Sequence, residues 1–154
     1  MKTDLVVEGV IMNNNKTLLI HHRKLNIWVP AGGHIDENEV PDDALLREIK
    51  EETQLDVEII NNCQLLPEGN TRRNLAVPFH SNLHSVGDHD HCCFFYLCKA
   101  LNPENLKINK ESIDYKWISK EEVDNDFIPA EIKKILKKAF EEYEKIKSNS
   151  SSIL

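Results

Sequence analysis

The chain has 154 residues, 19 basic against 26 acidic side chains, a formal net charge of -7 and 40% hydrophobic residues. A single domain of this length buries roughly 68 to 70% of the surface its unfolded form exposes, so folding requires neither a disulfide nor a structural metal. The acidic balance argues against a surface that neutralises many nucleic-acid phosphates, and with Asp4 and Glu8 inside the N-terminal apolar stretch no segment reaches the roughly 18 uninterrupted apolar residues of a membrane span.

In chain order, Leu5 to Met12 and Thr17 to His22 are apolar and β-rich. They are separated by Asn13-Asn14-Asn15-Lys16, whose asparagines suit the positive φ of a tight turn, so a hairpin is expected. Ile27, Trp28 and Val29 then run into Pro30-Ala31-Gly32-Gly33, where proline ends regular pairing and the glycines allow close approach to a ligand. From Val40 to about Gln54 the pattern is helical. Pro41 suits the first turn, Asp42 and Asp43 complement the positive end of the dipole, and Leu45, Leu46 and Ile49 form an apolar stripe.

Val57 to Ile60 and Cys92 to Leu97 read as strands, with the polar stretch Asn61 to Asp90 between them read as mostly loop. Tyr115 to Ile118 forms a short strand, Ser119 caps a turn through Lys120-Glu121-Glu122, and Ile128 to Ile146 is a lysine-rich amphipathic helix. Residues 1–147 make one domain of α/β or α+β class, and 148–154 form a disordered tail. Cys63, Cys92, Cys93 and Cys98 form no paired C-x-x-C set, so reduced thiols and a cytoplasmic, untargeted chain are expected.

The chemistry-bearing pattern lies on the first helix. Glu48, Glu51 and Glu52 stand at i, i+3 and i+4 and share an arc of roughly 100° beside the apolar stripe. Like charges so placed repel. A solvated acidic face is the ordinary explanation, and it suits Glu141, Glu142 and Glu144 in the last helix, which lysines surround. The first cluster differs because a glycine loop precedes it and a further acid, Glu39, stands at its N-terminal end. Carboxylate oxygens at this density suit a hard dication such as magnesium, which commonly links one or two carboxylates to substrate phosphates.

Gly33, Glu39, Arg47-Glu48-Ile49, Glu51-Glu52 and Gln54-Leu55 follow the spacing G-x5-E-x7-R-E-U-x-E-E-x-G-U, where U is aliphatic. The segment resembles the signature of the Nudix hydrolases at eight of nine specified positions, Gln54 standing where the family has glycine. The resemblance implies an α/β/α sandwich with a mixed central sheet and a nucleotide pyrophosphohydrolase. Its substrate would be a small nucleoside diphosphate linked to another group. It further implies Mg2+, with Mn2+ as an alternative, on Glu48, Glu51, Glu52 and the Gly32 carbonyl, and Arg47 and Glu39 as a pair orienting the carboxylates. A bound metal neutralises a diphosphate, polarises phosphorus and promotes attack by water. Glu52, Glu48 and Glu111 each qualify as the base. Family members are often homodimers, which leaves the oligomeric state open. The alternatives on the same fold are a catalytically silent nucleotide-binding or regulatory module and a diphosphate isomerase.

Outside the signature, Arg23 occupies a position from which many family members contact substrate phosphate, and Gly33, His89, His91 and Glu111 join it as candidate substrate contacts. The run His80, His84, Asp88, His89, Asp90, His91, Cys92, Cys93 also admits a zinc site, although His89-x-His91 is a poor version of the usual ligand pair. A pocket-lining role and a polar loop feeding a buried strand are the other readings.

Overall fold

The computed structural model describes residues 1–60 and 65–153. Cys63, the rest of 61–64 and the final Leu154 lie outside the described residues.

Strand β1 (Thr3–Asn13) and strand β2 (Lys16–His22) form the expected hairpin. Asn14 and Asn15 both adopt positive φ, 50° and 61°, the backbone that a tight hairpin turn requires. The two strands pair only at Met12↔Thr17 and Asn13↔Lys16. Strand β3 (Ile27–Val29) lies against β2, and Pro30 then interrupts the ladder, so that β4 (Ala31–His34) crosses to the other half of β1. This switch brings the twin glycines onto the strand that holds Glu8.

Helix α1 (Pro41–Thr53) has Pro41 in its first turn and no side-chain cap at Val40. Its early acids have tertiary work as well as their dipole role: Asp42 Oδ2 accepts from the Ala76 N–H at 2.9 Å, and Asp43 pairs with Arg73 at 2.8 Å. Strand β5 (Val57–Ile59) follows. The stretch expected to be loop contains a further strand, β6 (His80–Ser85), antiparallel to β7 (Asp90–Ala100). Polar side chains conceal β6 in the sequence because it is an edge strand whose stability comes from pairing with β7. Strand β8 (Ser112–Ser119) pairs with β2. Ser119 and Glu122 then complete a reciprocal capping box on the single 3-10 turn Lys120–Glu122. Helix α2 (Ala130–Ile153) starts two residues later than expected and runs beyond Ile146 into the serine-rich tail.

The eight strands form one sheet with central order β3-β2-β1-β7-β5. β1 and β7 are parallel over ten registered positions and the other pairs are antiparallel, which makes the sheet mixed. Alternation along β1 divides the core. Val6, Val10 and Met12 pack with Ile132, Leu136 and Phe140 of α2, whereas Val7 and Ile11 pack with Leu45 and Ile49 of α1. Each fully buried aliphatic side chain contributes roughly 1.5 to 3 kcal/mol, so both helices are held firmly to the sheet.

The departure from the family signature at Gln54 has a clear backbone consequence. Gln54 caps α1 at φ 61° and ψ 11°, a left-handed conformation, with its N–H donating to the Lys50 carbonyl at 2.9 Å. A side chain with a Cβ loses roughly 1 kcal/mol there relative to glycine. Gln54→Gly is expected to raise the melting temperature by about 2 to 4 °C in thermal denaturation, with catalytic turnover preserved.

Candidate active site

Arg47 is the hub of the site. Its guanidinium grips Glu39 with two hydrogen bonds, Nε to Oε2 at 2.8 Å and Nη2 to Oε1 at 2.9 Å. It donates to Glu48 Oε1 at 2.9 Å and to the His34 carbonyl at 3.0 Å, and it reaches Glu51 at 3.4 Å. A planar group with five donors suits such a shared role. The Arg47 bonds hold the Glu39 carboxyl down at about 2, so it remains anionic and keeps Arg47 aimed. Helix α1 is thereby fastened to the end of β4.

On β4, the Gly32 N–H donates to Glu52 Oε1 at 2.9 Å. Both glycines are needed for close approach. A Cβ at Gly33 would occupy the space of the Glu48 carboxyl group, and one at Gly32 would strike the Val7 carbonyl. The glycine bend therefore serves to bring backbone against carboxylates.

Beside this contact lies a cavity of about 730 Å³ whose lining includes Glu8, Arg23, Gly32, Gly33, Glu48, Glu52, His91 and Glu111. Its volume falls in the range of small-molecule sites. Burial raises the Glu52 carboxyl to about 8, and Glu48, Glu111 and Glu8 add repulsion that the Gly32 hydrogen bond only partly relieves. Burial also raises Glu48, opposed by Arg47. Glu8 is pushed up to about 7 by desolvation, although the Cys93 thiol donates to its Oε2 at 3.0 Å. Four carboxylates crowded into one partly dry space form an anionic site that protons or cations must neutralise. Their oxygen-only character fits a hard dication.

The sequence-based candidates fall into three groups. Glu48, Glu52, Gly32, Gly33, Arg23, Glu111 and His91 share the cavity wall. Arg23 also donates from Nε to the Lys110 carbonyl, and its N–H donates to the Glu111 carbonyl, so these two residues are placed together. Arg47 and Glu39 stand behind the wall. Glu51 is 56% exposed, is turned toward Arg47 and is not part of the cavity lining. His89 also lies off the lining and packs against His91, with ring centroids 5.0 Å apart. Trp28 packs rather than lines the cavity, stacking on His21 at 4.8 Å and meeting Phe127 edge-on.

Sequence reasoning did not assign Glu8, His34 or Asn82 to the site. For Glu8 the signal is present, since it is an acid at the centre of an apolar strand on the same face as Val6 and Val10. The described cysteines are free, and burial pushes the thiols of Cys93 and Cys98 up, so neither presents a ready thiolate. That weakens an isomerase reading that depends on a reactive cysteine.

A mixed sheet between two helices, with a glycine-bordered and carboxylate-walled cavity beside one of them, defines a hydrolase of the Nudix class. The chain belongs to that family: the family model described as NUDIX domain matches residues 3–140. A Nudix-family hydrolase from Clostridium perfringens has a similar solved structure, with TM-score 0.79 and 29% identity, covering 92% of this chain and 98% of that one. An Ap4A hydrolase from C. elegans shares the fold, with TM-score 0.68 and 17% identity over 95% of this chain and 98% of that one. An 8-oxo-dGTP diphosphatase from Proteus vulgaris is 36% identical over 66 residues, which are 40% of this chain and 56% of that relative. The match therefore spans little more than half of that relative's length. No helix among the described residues is long and apolar enough to cross a membrane.

Glu8 makes the anionic cavity measurable through stability. In the unfolded chain its carboxyl releases a proton near 4.5, whereas in the fold it holds the proton up to about 7. The folded state thus binds the extra proton between those values, and stability falls as pH rises through that window. In chelator, Glu8→Gln is expected to raise the melting temperature by several degrees at about pH 8 and by much less at about pH 5, read by differential scanning fluorimetry.

Proposed function

We propose that the protein hydrolyses the diphosphate linkage of a small nucleoside diphosphate derivative, with a divalent cation, Mg2+ or alternatively Mn2+, held by Glu48, Glu52 and the Gly32 carbonyl, with Glu51, which stands off the cavity lining beside Arg47, as a further ligand. The reading is carried by the gathering of Glu8, Glu48, Glu52 and Glu111 around the Gly32-Gly33 bend in a cavity that also presents Arg23. A bound dication supplies charge neutralisation of the diphosphate and electrophilic activation of phosphorus.

The chain's own residues do the rest. Arg47 holds Glu48 and Glu51 in place against their mutual repulsion. Arg23 suits bidentate contact with a phosphate and shares the cavity wall with Glu111. Glu48 and Glu52 are engaged by Arg47 and the Gly32 N–H, respectively. Glu48, Glu52 and Glu111 all line the cavity, and each can take the proton from the attacking water. The linkage then breaks into two phosphate-bearing products.

Apolar side chains of Ile27, Val29, Phe95, Ile132 and Ile135 complete the cavity and suit the faces of a nucleobase. The similarity to the Proteus vulgaris 8-oxo-dGTP diphosphatase makes 8-oxo-dGTP the first substrate to test, with Ap4A and other nucleotides alongside it. The complete carboxylate set argues against a silent binding module, which has no need of it.

Phosphate and pyrophosphate release from this nucleotide panel, with the products identified by mass, tests the reading. Turnover is expected with Mg2+ and none after chelation. Glu51→Gln and Glu52→Gln are each expected to lower kcat by at least about a hundredfold while circular dichroism stays unchanged. Turnover that survives chelator, or near-normal kcat in either variant, contradicts the assignment.

A further inference from the structure

At the β4 end of the cavity, four side chains from separate parts of the chain converge in an arrangement that the hydrolytic machinery does not use. Asp4 stands on β1, His34 at the end of β4, His89 in the turn before β7, and His91 on β7. The sheet register brings them together. Asp4 lies opposite His91 in the parallel β1–β7 pair, and His34 lies opposite Val6, two positions along β1. Side chains alternate between faces, so Asp4 and Val6 share one face and their cross-strand neighbours join them there.

The four donor atoms all lie within 4.8 Å of one another. Three of the separations are shorter: His34 Nε2 to Asp4 Oδ2 is 3.2 Å, His89 Nε2 to Asp4 Oδ2 is 3.3 Å, and His89 Nε2 to His91 Nε2 is 3.2 Å. A tetrahedral ion with bonds of about 2.0 to 2.1 Å spaces its ligand atoms about 3.3 Å apart. Three of the six edges of such a site therefore already have that length, and the other three lie within 4.8 Å.

The surroundings support the same chemistry. Asp88 Oδ1 lies 2.7 Å from His89 Nδ1, a carboxylate–imidazole pairing that fixes the ring and leaves Nε2 as the ligand atom. Lys2 lies 3.4 Å from Asp4 Oδ1, which leaves Oδ2 as the oxygen on the histidine side. Three imidazoles with one carboxylate suit zinc and similar first-row ions, whereas magnesium prefers oxygen ligands alone.

We propose that Asp4, His34, His89 and His91 form a second metal centre, selective for zinc or a divalent transition ion of like chemistry, separate from the carboxylate site on α1. It clips β1, β4 and β7 together at the cavity rim. Because the His34 carbonyl accepts from Arg47, it also steadies the strand end against which the α1 carboxylates are set.

The test uses the full chain, stripped of metal and then equilibrated with zinc in excess Mg2+, with bound zinc read by competition against a chromophoric chelator. The wild type is expected to retain one zinc per chain and to gain melting temperature from it. Co2+ in place of zinc is expected to give the intense visible bands of a four-coordinate ion. His34→Gln and His89→Gln are expected to weaken zinc binding by roughly tenfold or more. His34 is the safer variant for folding because its side chain is 55% exposed. Glu52→Gln is expected to keep the zinc. Failure of the wild type to retain zinc overturns the proposal, as does zinc retained equally by both histidine variants or lost in Glu52→Gln. None of those results touches the hydrolase reading, which rests on Mg2+-dependent turnover.

Discussion

The site is organised by one guanidinium. Arg47 is surrounded by acceptors from three places: Glu39 before α1, Glu48 and Glu51 on α1 itself, and the His34 carbonyl at the end of β4. Without that shared positive charge, the three carboxylates of one helical turn repel one another and have no reason to hold a common orientation. With it, their repulsion is offset on one side and left open on the cavity side, where Glu52 and Glu48 are raised by burial. The glycine bend completes the arrangement, because only Gly33 leaves room for the Glu48 carboxyl group and only Gly32 fits against β1.

The fold supplies this geometry through a strand switch. Pro30 ends the β2–β3 pairing and sends the chain to β1, so that Gly32 and Gly33 lie opposite Glu8 and Val7. Helix α1 packs on one face through Leu45 and Ile49, while α2 closes the other face and contributes Ile132 and Ile135 to the cavity. Buried charge accumulates as a result. Burial raises the carboxyls of Glu8, Glu48 and Glu52 alike, so that ionising them costs the folded chain stability.

The local features were legible in the sequence. The periodicity of Leu45 and Ile49 marks the helix to within a residue at each end, although Leu46, expected on the same stripe, is exposed; Asn14 and Asn15 mark the hairpin turn, and the signature spacing places the carboxylates on one helix. Features that depend on tertiary pairing were not. β6 carries His80, Asn82 and His84 at alternate positions and looks polar because its order comes from β7. The zinc reading drew on the His89 and His91 run but lacked Asp4 and His34, which only strand register brings near. Glu51 is adjacent to Glu52 in sequence yet turns toward Arg47, since neighbouring helix positions point about 100° apart.

The most direct measurement of the Arg47 account is Mn2+ binding to the carboxylate site, followed by electron paramagnetic resonance in the wild type and Arg47→Lys. Lysine keeps the charge but cannot span Glu39, Glu48 and the His34 carbonyl together. The account predicts a loss of Mn2+ affinity of roughly tenfold or more with circular dichroism unchanged. Equal Mn2+ affinity in the two proteins would contradict it.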